Sequence, residues 1–264
     1  MARLLTTALV GALGTLAFAC GDDDTAAGTS SSGGTELSSG GGSSSGGSSS
    51  GGGGSSTGSS SGTSSGTLPS PVSGQATYYD ATGAGACSFP ASPQDLDVAA
   101  VSASHYGKAV YCGACLEVKG PKGSVVVRAV DLCPGCKSGS LDLSPQAFGK
   151  IADLKTGVVP ITWSVIRCNV QGPVQYYTKD GSSKYWTAIQ VRNHAVPIKS
   201  LEIEKGGAFV AAPRESYNFF VLPSGSGTDG PFKVRLTADN GAVLEDTIPS
   251  PKQLTLTSGH ANFP

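Results

Sequence analysis

The chain has 264 residues, with 18 Lys and Arg against 19 Asp and Glu, a net charge of −1 and 38 glycines. No basic run or stripe occurs, which excludes the electrostatic footprint of nucleic-acid binding. Beyond the N-terminal leader, no apolar run is long enough to span a bilayer as a helix.

Met1–Cys20 reads as a secretory signal, with Arg3 ahead of a Leu/Ala/Val-rich stretch too short to cross a membrane. Cys20 after Ala19 looks like a bacterial lipoprotein acylation site, and plain cleavage after Ala17-Phe18-Ala19 is the rival. Either route places the mature protein outside the cytoplasm, secreted or held at the cell surface by a lipid anchor. Residues 21–73 are Gly, Ser and Thr with an acidic start at Asp22-Asp23-Asp24. This composition predicts a disordered tether with a root-mean-square span of about 40 Å.

Setting aside Arg3, Asp22–Asp24 and Glu36, the segment Gly74–Pro264 carries 17 basic against 15 acidic side chains. Its length suits two small domains, divided near Gln171-Gly172-Pro173 into residues 74–171 and 172–264. Cys87, Cys112, Cys115, Cys133, Cys136 and Cys168 all fall in the first of these. An even number in an exported segment points to disulfides. Cys112-Gly-Ala-Cys115 and Cys133-Pro-Gly-Cys136 also have zinc-ribbon spacing, but a four-thiolate site would leave Cys87 and Cys168 over. Spacing alone leaves the connectivity open.

In the first half, Thr77–Tyr79, Cys115–Lys119, Ser124–Val130 and Ile161–Arg167 read as strands of a compact barrel. A Pro/Gly/Ser-rich loop bracketed by Asp131 and Asp142 follows Val130. Ser144 as N-cap and Pro145 at the first helical position predict a short helix, Pro145–Ile151. The two aspartates read as turn residues or, with a cleft above them, as a sugar-acting pair.

The second half has strand-like runs at Gln175–Lys179, Trp186–Arg192, Ile198–Lys205, Ala208–Ala211, Asn218–Leu222, Phe232–Thr237 and Ala242–Thr247. Seven or eight short antiparallel strands predict a β-sandwich. Tyr185, Trp186 and Tyr217 lie in or beside its turns, where flat rings can stack on sugar rings. Tyr185 and Trp186 point to opposite faces unless the strand begins after Tyr185. None of His105, His194 and His260 forms a pair with ligand spacing, and neither a metal nor a cofactor is expected.

Several stretches together resemble the microbial expansins. They are Gln75–Tyr79, Leu116–Gly123, Leu141–Pro145, Gly181–Trp186, Ala188–His194 and the terminal Gly259–Pro264. The resemblance covers nearly all of Gly74–Pro264, and the Gln190-Val191-Arg192-Asn193-His194 and C-terminal stretches are its most specific parts. It implies an all-β protein, a six-stranded double-ψ β-barrel followed by an immunoglobulin-like carbohydrate-binding sandwich. It also implies binding to cellulose-rich plant walls and loosening of non-covalent polysaccharide contacts without hydrolysis, by a monomer.

By the same resemblance Thr77, Asp131 and Asp142 match polar groove residues, and Asp142 matches the carboxylate needed for loosening. Tyr185, Trp186 and Tyr217 match an aromatic line, with Lys179 beside it. The implied disulfides are Cys87–Cys112, Cys115–Cys168 and a local Cys133–Cys136. Cys133 stands where several bacterial relatives carry a groove tyrosine.

Asp80 lies near the catalytic-base position of barrel-sharing endoglucanases of glycoside hydrolase family 45. If Asp80 faces Asp142 across the groove, the chain has both parts of an inverting glucanase. If Asp80 instead caps the turn Ala81–Gly85, hydrolysis lacks its water activator. A third class of stapled barrel acts on peptidoglycan or inhibits proteases, so peptidoglycan is a further candidate partner.

Overall fold

The computed structural model describes residues 71–264. The expected leader, the acylation site at Cys20 and nearly all of the tether lie outside the described residues.

The first half closes into a barrel of six strands: β1 (Val72–Tyr78), β2 (Val98–Ser102), β3 (Cys115–Gly120), β4 (Gly123–Cys133), β5 (Leu141–Leu143) and β6 (Val159–Ile166). Their spatial order is β1-β5-β2-β4-β3-β6, with β1 pairing β6 to close the wall. β1 begins two residues ahead of the expected domain start. The pairs β1·β5 and β2·β4 are parallel, whereas β3·β4 is an antiparallel hairpin turned between Gly120 and Gly123.

Alternation accounts for most of the wall. In β6, Val159, Ile161, Trp163 and Val165 point into the core and the residues between them point away. Leu116, Leu141, Leu143 and Phe148 are fully buried with them, each contributing about 1.5–3 kcal/mol of apolar burial. β2 escapes a periodicity reading because all five of its residues are buried, and β5 because it is three residues long.

One expectation needs correction. Asp131 does not open a loop. It lies inside β4, which continues to Cys133 because β2 pairs alongside it as far as Ser102. Asp142 is likewise a strand residue, at the centre of β5.

Helix α1 (Ala103–Tyr106) follows β2, and α2 (Pro145–Ile151) follows β5. The Ser144 hydroxyl accepts the Ala147 amide at 3.0 Å and Pro145 opens α2, as the sequence predicts. This cap sits two residues after Asp142 and steadies the strand that carries it. The six described cysteines form three disulfides: Cys87–Cys112, Cys115–Cys168 and Cys133–Cys136.

The second half is a sandwich of two four-stranded sheets. Its strands are β7 (Gln175–Thr178), β8 (Thr187–Arg192), β9 (Ile198–Lys205), β10 (Ala208–Ala212), β11 (Phe220–Leu222), β12 (Phe232–Ala238), β13 (Val243–Ile248) and β14 (Leu256–Ser258). The sheets run β10-β9-β12-β13 and β11-β8-β7-β14. Tyr176, Ile189, Leu201, Ile203, Phe220, Val234 and Leu236 form the core between them. β14, not expected from the sequence, pairs with β7.

Candidate functional site

Four residues form one rung across the barrel wall. Thr77 of β1 is in register with Asp142 of β5, Asp142 with Ala100 of β2, and Ala100 with Asp131 of β4. Residues in register share a face of the sheet, so the rung presents a hydroxyl, a carboxylate, a methyl and a carboxylate side by side. Leu141 and Leu143, which flank Asp142 in β5, point the other way into the core. Two strand spacings separate the backbones of the two aspartates, about 10 Å.

Local bonds hold each acid. The Thr77 hydroxyl donates to Asp142 Oδ1 at 2.5 Å. Asp131 Oδ1 accepts the Ala86 amide at 2.7 Å and the Leu132 amide at 2.8 Å. Gly85 must be a glycine here, since a Cβ at that position would lie 2.3 Å from the Asp131 carboxyl carbon.

Tyr79 shares the parity of Thr77, and its amide continues the β1·β5 pairing by donating to Leu143. Its hydroxyl is buried without a hydrogen-bond partner among the described residues, although Asp131 is close by. Burial first, and then the charges of Asp131 and Asp142, push its pKa well above the usual tyrosine value. The phenol therefore stays neutral beside the acids. Sequence reading named Tyr79 only as part of a stretch; its period-2 spacing from Thr77 was the available signal.

Asp80 sits outside this arrangement. It lies beyond the end of β1, which stops at Tyr78. The Ala81 amide bonds to the Tyr79 carbonyl at 2.7 Å and closes a three-residue turn around Asp80, whose side chain is exposed. Within the turn that follows, the Ala84 amide bonds to the Thr82 hydroxyl at 3.4 Å.

The second cluster of interest lies on the outer face of the sheet β11-β8-β7-β14. Ser183 and Trp186 exchange backbone bonds across a tight turn, so β8 begins only at Thr187. Tyr185 and Trp186 are thus freed from strand alternation. Tyr185 is 74 % exposed and Tyr217 36 % exposed, while Trp186 is half-buried against Ala188, Phe219 and Val221.

Tyr217 and Phe219 lie 5.8 Å apart between ring centres, and Phe219 and Tyr177 6.3 Å. Lys179 Nζ stands 6.0 Å from the Tyr217 ring and 5.8 Å from that of Phe219, within cation–π range. Tyr177 and Phe219 were not singled out in the sequence. They face away from the sandwich core, a placement fixed by the pairing of β7 with β8 and by the buried neighbours Tyr176 and Phe220.

A short chain of bonds connects the two clusters. Ala86, the amide that holds Asp131, precedes Cys87, whose carbonyl accepts Gln190 Nε2 at 2.8 Å and Asn218 Nδ2 at 3.2 Å. Asn218 follows Tyr217 directly. The Tyr106 hydroxyl donates to the Ser216 carbonyl at 2.6 Å and Arg214 Nη1 to Ala109 at 2.8 Å, tying barrel to sandwich on both sides of this strap.

The chain is similar to proteins already known. Expansin-YoaJ of Bacillus subtilis is 42 % identical over 181 residues, covering 65 % of this chain and 77 % of its own length. The chain belongs to the expansin family. The apo expansin of Clavibacter michiganensis superposes with a TM-score of 0.67 at 34 % identity, covering 74 % of this expansin and 98 % of that chain. A point mutant of that protein, solved in complex with cellohexaose, gives 0.68 at 33 % identity with the same coverage. The barrel also matches a family model described as lytic transglycolase, over residues 72–163.

Proposed function

We propose that this expansin binds wall glucans and loosens their non-covalent contacts without cutting the chain. Tyr185, Trp186 and Tyr217, with Lys179 beside them, dock on a glucan face, where ring-on-ring contact supplies apolar burial. Thr77, Asp131 and Asp142 then hydrogen-bond a neighbouring chain. Binding energy realised only on a displaced chain favours displacement, by the differential-binding logic that governs catalysis. The cellohexaose complex of a relative with the same fold supports the polysaccharide reading.

The rung carries the non-lytic part. Inverting hydrolysis needs an acid and a separate base roughly 6.5–9.5 Å apart with a water between them. Asp131 and Asp142 are spaced to compete for those roles, but Asp131 Oδ1 already accepts two amides. Asp80 lies outside the rung, exposed at a turn beyond the end of β1. In this reading Asp131, oriented through Oδ1 by those two amides, uses its second oxygen to accept from the glycan rather than to activate a water, and Asp142, bonded to the Thr77 hydroxyl, is left without a base.

Incubation with amorphous cellulose and an assay of reducing ends tests this. No turnover is expected, alongside measurable extension of wall strips under load. Turnover that disappears in Asp142→Ala together with either Asp131→Ala or Asp80→Ala would establish an inverting glucanase instead. The lytic transglycolase match over residues 72–163 supports a second reading, cleavage of peptidoglycan, which muropeptide release from purified sacculi would reveal.

Export by the N-terminal leader, with or without acylation at Cys20, is part of this proposal. No helix among the described residues is long and apolar enough to cross a membrane. Labelling with a radioactive fatty acid, compared between the natural chain and Cys20→Ser, checks the anchor.

A further inference from the structure

A cavity of about 300 Å³ opens where the barrel meets the sandwich, lined among others by Phe89, Ser92, Arg128, Gln175, Arg192 and Asn193. No acidic side chain lines it among the described residues. Two guanidiniums do, one from each half of the molecule. Arg128 donates to the Ser92 hydroxyl at 3.2 Å and its Nη2 reaches only 4.0 Å from exposed Asp95. Its Nε is buried and has no hydrogen-bond partner among the described residues. Arg192 rests on the Tyr177 ring at 4.0 Å and donates Nε to Gln190. Burial lowers its pKa, as expected of a cation that lacks a facing anion.

We propose that this cavity binds the carboxylate of a uronic acid unit carried as a substituent on a wall polysaccharide. Planar guanidinium forks match carboxylates in geometry and charge. The Phe89 ring supplies an apolar wall, while Gln175, Asn193 and Ser92 supply neutral groups suited to sugar hydroxyls. The volume is at the small end for ligand pockets, enough for one sugar ring but not a chain. Arg128 precedes Asp131 by three residues on β4, so the cavity lies about 10 Å along the strand from the rung. A side branch of a glycan lying at the rung reaches it. This assignment rests on the wall-glycan reading above and adds a chemical class of substrate to it.

The test is calorimetric titration of the full chain with a xylo-oligosaccharide bearing one glucuronate branch and with the same oligosaccharide unbranched. The branched form is expected to bind about tenfold more tightly at low ionic strength, the scale of a charge-assisted hydrogen bond. That advantage should fall to about twofold or less in Arg128→Gln and in Arg192→Gln. Thermal melting verifies folding, and if Arg128→Gln fails to fold, Arg192→Gln carries the test. Equal affinity for the two oligosaccharides, or an advantage that survives both substitutions, overturns the proposal. Complete competition by acetate at the concentration of the glucuronate branch would assign the cavity to any small organic anion and also overturn it. Retention of Arg128→Gln on cellulose is expected to equal that of the natural chain. Absence of cellulose retention in the natural chain would instead overturn the wall-glucan reading, with the branched-to-unbranched ratio still deciding this one.

Discussion

Asp131 and Asp142 are eleven positions apart in the chain, yet both register on Ala100, one from each side of β2. A single small residue thus separates two carboxylates that approach it from a parallel and an antiparallel neighbour. Their different partners give them different work. Asp131 is bound by two amides and reaches the strap through Ala86; Asp142 is held by Thr77, and the proposed function assigns its second oxygen to a ligand.

Asp142→Ala is therefore expected to retain binding to cellulose and to abolish extension of wall strips. It leaves the Thr77 hydroxyl without its partner, a stability cost of about 1 kcal/mol. Thr77→Val should give a partial loss of extension. Extensometry and urea denaturation of the two variants check both statements. Full extension by Asp142→Ala would remove the rung from the mechanism.

The aromatic face predicts a separation between two neighbouring rings. Tyr185 is mostly exposed, so Tyr185→Ala should weaken cellulose retention by about threefold to tenfold, within the range of one aromatic contact, and leave the melting temperature unchanged. Trp186 packs on Phe219 and Val221. Trp186→Ala should remove most retention and also lower stability by about 1–2 kcal/mol, with the fold intact by circular dichroism.

Reduction should affect the three disulfides unequally. The chain-entropy argument gives about 4 kcal/mol for Cys115–Cys168, which closes a separation of 53 residues. It gives about 3.5 kcal/mol for Cys87–Cys112, with a separation of 25. Cys133–Cys136 closes only three residues and contributes about 1.5 kcal/mol. Paired Cys→Ser substitutions, compared by guanidinium midpoints, should follow that order. Cys133→Ser/Cys136→Ser should also retain wall loosening, since the rung is held by its own bonds.

Acid should loosen the junction of the two halves through His194. It is buried, with Nδ1 2.8 Å from the Val196 carbonyl, and Gly113 is the residue that gives its Nε2 room. Burial, and then the charges of Arg214 and Arg128, push its pKa down to about 4 against the Val196 bond. A depressed histidine costs nothing above about pH 6.5, where folded and unfolded chains both hold it neutral. Stability is lost as pH falls from about 6.5 to 4, because only the unfolded chain takes up the proton; the loss approaches about 3 kcal/mol. Urea midpoints at pH 7 and pH 4 measure it, and His194→Gln should flatten the difference.

The architecture was largely legible in the sequence because its signals are local. Alternation marked β6, the Ser144-Pro145 pair marked α2, and the Gly/Ser-rich turns separated the sandwich strands. β2 and β5 were not legible. A strand buried on both faces has no period, and a three-residue strand is held by its neighbours rather than by its own propensity. Asp131 read as the start of a loop because the last residues of β4 are held as strand by pairing with β2, and Tyr79, Tyr177, Phe219 and Arg192 were not singled out because their neighbours come from distant stretches.

Composition, strand alternation and the recurrent motifs determined by themselves that this is a stapled barrel followed by a sandwich, and that Thr77, Asp131, Asp142, Tyr185, Trp186 and Tyr217 deserve testing. Only the tertiary structure decided which of them meet. The rung depends on register between strands distant in sequence, and the seam cavity depends on two arginines brought together by docking. Neither arrangement is encoded in any local stretch, because hydrogen-bond registers and packed junctions are properties of the whole folded chain.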